Sequence, residues 1–125
     1  MNYPKAIGPY SAFVDAGEFV FCSGQIPLDP ASGEIVGNSA AEQAEQALKN
    51  VEGVLAAAGL STKNVVKTTV FLADIADFAA VNEVYAKHFN KPFPARSALQ
   101  VGALPKGAKV EIEVIAKKYC LLSTA

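Results

Sequence analysis

Apolar residues fall along this chain with two different periods. Ala44, Ala47, Leu48, Val51, Val54, Leu55 and Ala58 recur at three- and four-residue steps, which is one stripe of a helix. Ser39 and Glu42 stand in capping-box positions ahead of the stripe, and Gly59 supplies a left-handed stop behind it. The spacing predicts a helix over residues 40–58. A shorter stripe, Phe78, Val81, Tyr85 and Phe89, predicts a second helix, with Asp77 placed to cap it.

The remaining apolar runs alternate or are continuous, as strands do. Residues 12–15 and 18–23 flank the turn signal Ala16-Gly17 and read as a β-hairpin. Asp29-Pro30-Ala31-Ser32-Gly33 is dense in turn formers and reads as an exposed loop. Residues 64–72, rich in Val and Thr, predict a third strand. Two more follow the second helix, at 95–101 and 109–117, joined by the turn Leu104-Pro105-Lys106-Gly107. The order is ββαβαββ, an α+β domain in which right-handed crossovers place both helices on one face of a mixed sheet.

In the last strand Val110, Ile112, Val114 and Ala116 point one way and Glu111, Glu113 and Ile115 the other, so the first set should meet the helices. The opposite face also needs a cover. Residues 65–72 and 19–22 read as apolar on both sides, as strands buried on two faces are, and no third helix is available. We therefore expect a homo-oligomer that packs sheet against sheet, with clefts between subunits.

Composition narrows the function classes. The 125 residues, 51% hydrophobic and 18% charged, make one domain able to bury about two-thirds of its surface without staples. Eleven basic against twelve acidic side chains, a net charge of -1 and a pI near 5.8 give no field to attract nucleic acid, and the ten lysines are scattered. Cys22 and Cys120 are too few for a disulfide framework and are read as reduced. A single histidine, His88, without a C-x-x-C pair cannot assemble an ordinary zinc site in one chain. The N-terminal segment lacks the apolar core of a signal peptide, and the longest uncharged apolar stretch, 53–60, is too short to span a bilayer. A cytoplasmic protein with no membrane partner is expected.

Arg96 is the only arginine. Its guanidinium presents a rigid fork that matches a carboxylate and keeps its charge when desolvated, so it either binds a small anion or forms an ordinary ion pair. Glu111 and Glu113 project to the same side of their strand. Buried at an oligomer interface, such a carboxylate can orient a water or exchange a proton, whereas exposed it is a solvated edge. His88 lies near a helix C-terminus, where the dipole favours a cation, and a structural role fits it better than a catalytic one. No nucleophile elbow, cysteine-protease context or phosphate-binding glycine loop is present. Taken alone, Gly24 reads as a strand-end glycine and Tyr10 as a packing aromatic.

Five motifs, taken together, go further. Ala6-Ile7-Gly8-Pro9-Tyr10-Ser11, Ser23-Gly24-Gln25-Ile26-Pro27, Asn64-Val65-Val66-Lys67-Thr68-Thr69-Val70-Phe71-Leu72, Phe93-Pro94-Ala95-Arg96-Ser97 and Val110-Glu111-Ile112-Glu113 resemble, in order, the Rid or YjgF family. The chain is most similar to its reactive intermediate deaminase A branch. The resemblance covers residues 1–118 as one domain and leaves 119–125 as a C-terminal tail.

It implies a chorismate-mutase-like fold, a homotrimer whose sheets form a barrel, and three sites between subunits. The implied reaction is cofactor-free hydrolysis of 2-iminobutanoate and 2-iminopropanoate to 2-oxo acids and ammonia. By motif position Arg96 clamps the substrate carboxylate, the backbone of Ala98 contacts substrate, and Glu111 holds the attacking water. Tyr10, Ser23, Gly24 and Asn82 line the same pocket, Tyr10 at the catalytic end. Many relatives carry cysteine where this chain has Ala98, so any thiol-based regulation there is lost. The competing expectation is a non-enzymatic trimer that binds small carboxylates or protects other proteins. An RNA-cleaving role is disfavoured by the acidic balance and the single arginine.

Overall fold

A computed structural model describes residues 2–119. Strands β1 (Phe13–Ala16) and β2 (Phe19–Gln25) form the hairpin. They are followed by helix α1 (Ala40–Ala57), strand β3 (Val65–Leu72), helix α2 (Phe78–His88), and strands β4 (Ala95–Gln100) and β5 (Val110–Lys117). The element order is the expected ββαβαββ.

The stripe on α1 is buried from Ala44 to Leu55, and each fully buried Val or Leu contributes about 1.5–3 kcal/mol. Its capping box is complete: Glu42 N–H donates to Ser39 Oγ (3.1 Å), and Ser39 N–H donates to Glu42 Oε1 (3.0 Å). Gly59, at φ +78°, turns the chain away in a conformation that favours glycine.

The start of α2 differs from expectation. Asp77 occupies the N-cap position but makes no side-chain cap bond, because a 3₁₀ turn (Ile75–Asp77) runs directly into the helix. Asp74 caps that turn instead, its Oδ1 accepting from Ala76 N–H at 2.9 Å. Likewise the third strand begins at Val65 rather than 64. Asn64 closes a 3₁₀ turn in which its Oδ1 accepts from Ser61 N–H (3.1 Å).

The sheet order is β1-β2-β5-β3-β4, with β3 and β4 parallel and all other pairs antiparallel. The mixed character follows from the connections. Helix α1 joins two strands that both run antiparallel to β5, which lies between them, and α2 joins the parallel neighbours β3 and β4. Val110, Ile112, Val114 and Ala116 of β5 are buried beneath α1, as their alternation requires.

The opposite face is open in the protomer. Val14, Phe21 and Ile115 lie in one cross-strand row there, with Phe71 and Leu99 in another, and Val14, Phe21 and Leu99 are exposed. In β3, however, only Phe71 continues the apolar character. Lys67 and Thr69 share its side by simple alternation, and the register irregularity between Val65 and Lys67 leaves Val65 buried with Thr68, Val70 and Leu72 instead of on the side of Lys67 and Thr69. The expectation of a third strand apolar on both faces is corrected accordingly.

A polar strut inside the core holds the loop after β2. Asn50 is fully buried on α1, and its Nδ2 donates to the carbonyls of Ile26 (3.1 Å) and Leu28 (2.9 Å). These bonds satisfy loop carbonyls that no strand reaches.

Candidate functional site

Arg96 lies on the edge strand β4, opposite Thr68 of β3, and therefore projects toward the helices. One stripe of α2 receives it. Phe78, Asn82 and Tyr85 are spaced i, i+4, i+7 and share a helix face. The guanidinium carbon lies 4.8 Å from the Tyr85 ring centroid and 5.3 Å from that of Phe78. Its Nη1 donates to Asn82 Oδ1 at 2.6 Å. Every one of these contacts is to a neutral group, and among the described residues no carboxylate pairs with Arg96. The cation borders an open cavity of about 420 Å³ walled by Tyr85, Ala86, Phe93 and Pro94.

The ring beneath the guanidinium is itself fixed. Tyr85 is buried, and its hydroxyl shares a 2.8 Å hydrogen bond with the buried hydroxyl of Thr68. Burial pushes the phenol pKa up, against the smaller opposing effects of Thr68 and Arg96, so Tyr85 stays a neutral hydroxyl.

Glu111 belongs to a second cluster. It lies opposite Phe71, on the face away from the helices, and its carboxylate rests against the backbone of Gly24. The pairing of β2 with β5 slips between Cys22 and Gln25, so Ser23 and Gly24 form a bulge beside Glu111. A β-carbon on Gly24 would collide with that carboxylate, which makes Gly24 a spatial requirement there. Ser23 Oγ donates to the carbonyl of Ser11 (2.6 Å) and Ser23 N–H to that of Ala12 (2.9 Å), so the bulge anchors the segment bearing Tyr10. Tyr10 itself is exposed, its N–H donating to Gly8 carbonyl at 2.8 Å. Partial burial, and then the like charge of Glu113, raise the pKa of Glu111 above the ordinary carboxylate value.

The predicted site residues thus form two groups. Arg96 and Asn82 stand together on the helix side. Glu111, Gly24 and Ser23 stand together on the other side, with Tyr10 one residue from Ser23's partner. Thr68 and Phe71, the β3 partners of Arg96 and Glu111, are three residues apart, so the two side chains leave opposite faces of the same sheet. Ala98 points the same way as Arg96 and packs against the core. Because Val101 N–H donates to Leu72 carbonyl, alternation along β4 turns the backbone N–H and C=O of Ala98 toward the free edge.

A family profile described as Endoribonuclease L-PSP matches residues 1–118. The chain belongs to this family, also called Rid or YjgF. Human 2-iminobutanoate/2-iminopropanoate deaminase is 56% identical over 113 residues, covering 90% of this chain and 82% of the human protein. Among solved structures, RidA from an Antarctic Psychrobacter superposes with a TM-score of 0.89 at 45% identity, covering 93% of this chain and 94% of that one. E. coli TdcF with bound serine superposes at 0.87 with 46% identity, covering 94% of each. Membership bears out the resemblance carried by the five motifs and the α+β fold expected with it.

Two other titratable groups in this L-PSP-family chain serve structure. His88 sits between Glu52 (Nδ1 to Oε2, 2.7 Å) and Glu45 (Nε2 to Oε1, 2.9 Å), clamping α2 to α1. Burial raises the Cys22 thiol to about 11, so it stays protonated; its predicted counterpart in the reduced state, Cys120, lies outside the described residues. Among the described residues no helix is long and apolar enough to cross a membrane.

Sequence reasoning placed Phe78 and Tyr85 in the core stripe of α2 and gave them no part in the site. The i, i+4, i+7 spacing of two aromatics around Asn82 was the available signal. What it lacked was the partner, since Arg96 reaches that stripe only through the pairing of β4 with β3.

Proposed function

We propose that this protein is a cofactor-free deaminase of small 2-imino acids, hydrolysing 2-iminobutanoate and 2-iminopropanoate to 2-oxo acids and ammonia. The observation that carries the reading is Arg96: a cation held by two aromatic rings and an amide, with no described counter-ion, at the rim of a cavity. Such a group is prepared for a small anion, and its remaining N–H groups match a carboxylate. The name of the human relative and the serine bound to TdcF, an amino acid with its own carboxylate, support the same class of ligand.

In this reading Arg96 and the free backbone edge at Ala98 hold the substrate carboxylate. Glu111, its pKa raised by partial burial and by Glu113, takes a proton as water adds to the imine carbon. It returns that proton to nitrogen as the C–N bond breaks, and the hydroxyl proton of the adduct leaves with ammonia as ammonium. No covalent nucleophile is needed, because a protonated imine is already electrophilic. A thousandfold acceleration corresponds to about 4 kcal/mol, within reach of a fixed carboxylate and a placed water.

Since Arg96 and Glu111 leave opposite faces of one sheet, one substrate meets both only where two chains come together. We place the site between subunits of a homotrimer acting in the cytoplasm, with Tyr10, Ser23 and Gly24 beside Glu111 from one chain and Asn82 beside Arg96 from its neighbour. The exposed Val14, Phe21 and Leu99 supply an apolar face for that assembly.

The test couples a threonine dehydratase to the purified protein and follows decay of the imine, with solution mass measured in parallel. Faster decay with wild type but not with Arg96→Ala supports the deaminase, and no acceleration by a folded trimer overturns it. A carboxylate receptor without turnover is the second reading, favoured by the completeness of the Arg96 cluster within one chain. It predicts 2-oxobutanoate binding without imine decay.

A further inference from the structure

Arg96 is useful to an anion only while its guanidinium plane is held still, and the groups that hold it are visible. The Tyr85 ring lies under the guanidinium at 4.8 Å, Phe89 packs on Tyr85 with ring centroids 4.6 Å apart, and the Tyr85 hydroxyl is tied to Thr68 at 2.8 Å. Thr68 is fully buried and is the β3 residue paired with Arg96 across the sheet. The contacts therefore close a ring: strand pairing joins Arg96 to Thr68, a hydrogen bond joins Thr68 to Tyr85, and stacking joins Tyr85 back to Arg96.

We infer that Tyr85, locked by Thr68, is a positioning residue that sets the orientation of Arg96 for the substrate carboxylate. The inference rests on the carboxylate-binding reading above. The role assigned to both is exercised through the guanidinium, Thr68 from within the core and Tyr85 from the cavity wall beside Arg96. Loss of the tie, by deleting either hydroxyl, removes the one hydrogen bond among the described residues that fixes the turn of the ring. The stacked guanidinium then loses its fixed plane, and a bidentate contact is lost with it.

Because Arg96 is the only arginine in the chain, its Nε–H gives a single resonance in a ¹⁵N-arginine-labelled sample. Wild type should show that resonance sharp and displaced by the nearby Tyr85 and Phe78 rings, and 2-oxobutanoate should shift it further. In Thr68→Val, which keeps the side-chain shape and loses the hydroxyl, the resonance should broaden and move toward the free arginine position. Affinity for 2-oxobutanoate should fall about three- to tenfold, the worth of one hydrogen bond. Thr68→Ser, which restores the hydroxyl, should recover both. In turnover the loss should fall on KM with kcat kept, whereas a merely weakened core would reduce the active fraction and hence kcat.

Tyr85→Phe removes the same tie from the other side and gives the same reading should Thr68→Val fail to fold. Unchanged resonance and affinity in a folded variant lacking the tie overturn the inference while leaving the carboxylate reading intact. Failure of wild type to bind 2-oxobutanoate overturns both.

Discussion

The carboxylate of Glu111 occupies the space that a β-carbon on Gly24 would need. Gly24→Ala must therefore displace the carboxylate, which is the end of a flexible side chain, while the backbone stays in place. Stability should change little. Imine hydrolysis should fall by about a hundredfold, as expected when a catalytic group moves by about an ångström. Paired urea titrations and imine-decay rates check this, and an active Gly24→Ala would remove Glu111 from the reaction.

Arg96→Lys keeps the charge but loses the plane that stacks on Tyr85 and Phe78, along with the fork that addresses a carboxylate. One charge-assisted bond is worth roughly 1.5–3 kcal/mol, so KM should rise about ten- to a hundredfold. Steady-state kinetics over a wide imine range would show it. A lysine enzyme with wild-type KM would mean that only the charge matters.

The pH profile carries a sign. Glu111 must be ionised to accept a proton, and its pKa is raised first by burial and then by Glu113. Activity should therefore fall on the acid side at a higher pH than an ordinary glutamate would give. Glu113→Gln removes the like charge, lowers the Glu111 pKa and moves that acid limb to lower pH. A limb that stays in place assigns it to another group.

Burial opposes a charge on His88, but the hydrogen bonds and charges of Glu52 and Glu45 outweigh it, and its pKa lies above the ordinary histidine value. The clamp between α1 and α2 is thus at full strength below the unfolded value near 6.5 and is lost as the pH rises through the folded one. Melting temperature should decline over that window in wild type. His88→Gln should start lower and show no such decline.

The elements most legible in the sequence were those decided by neighbours along the chain. The α1 stripe with its Ser39/Glu42 box, and the alternation of Val110, Ile112, Val114 and Ala116, are local patterns, and the structure follows them. What was not legible depends on distant pairing. Asp74 and Asp77 are equivalent caps until a 3₁₀ turn separates them. The bulge at Ser23 and Gly24 exists only against β5. Asn50 is polar yet fully buried on α1, because carbonyls from the loop after β2 need it. The five motifs carry the expected site residues Tyr10, Ser23, Gly24, Arg96 and Glu111, but no motif says that Arg96 and Glu111 leave opposite faces of the sheet.

That divergence makes each proposed site the joint property of two neighbours. A chain carrying Arg96→Ala still offers an intact Glu111 cluster, and one carrying Glu111→Gln still offers an intact Arg96 cluster. Refolded together in equal amounts, two separately inactive proteins should regain about a quarter of the sites, those where the sound halves happen to meet. By the same count, a chain faulty in one half alone spoils only the single site to which it brings that half, whereas a chain faulty in both halves silences the sites on either side of it.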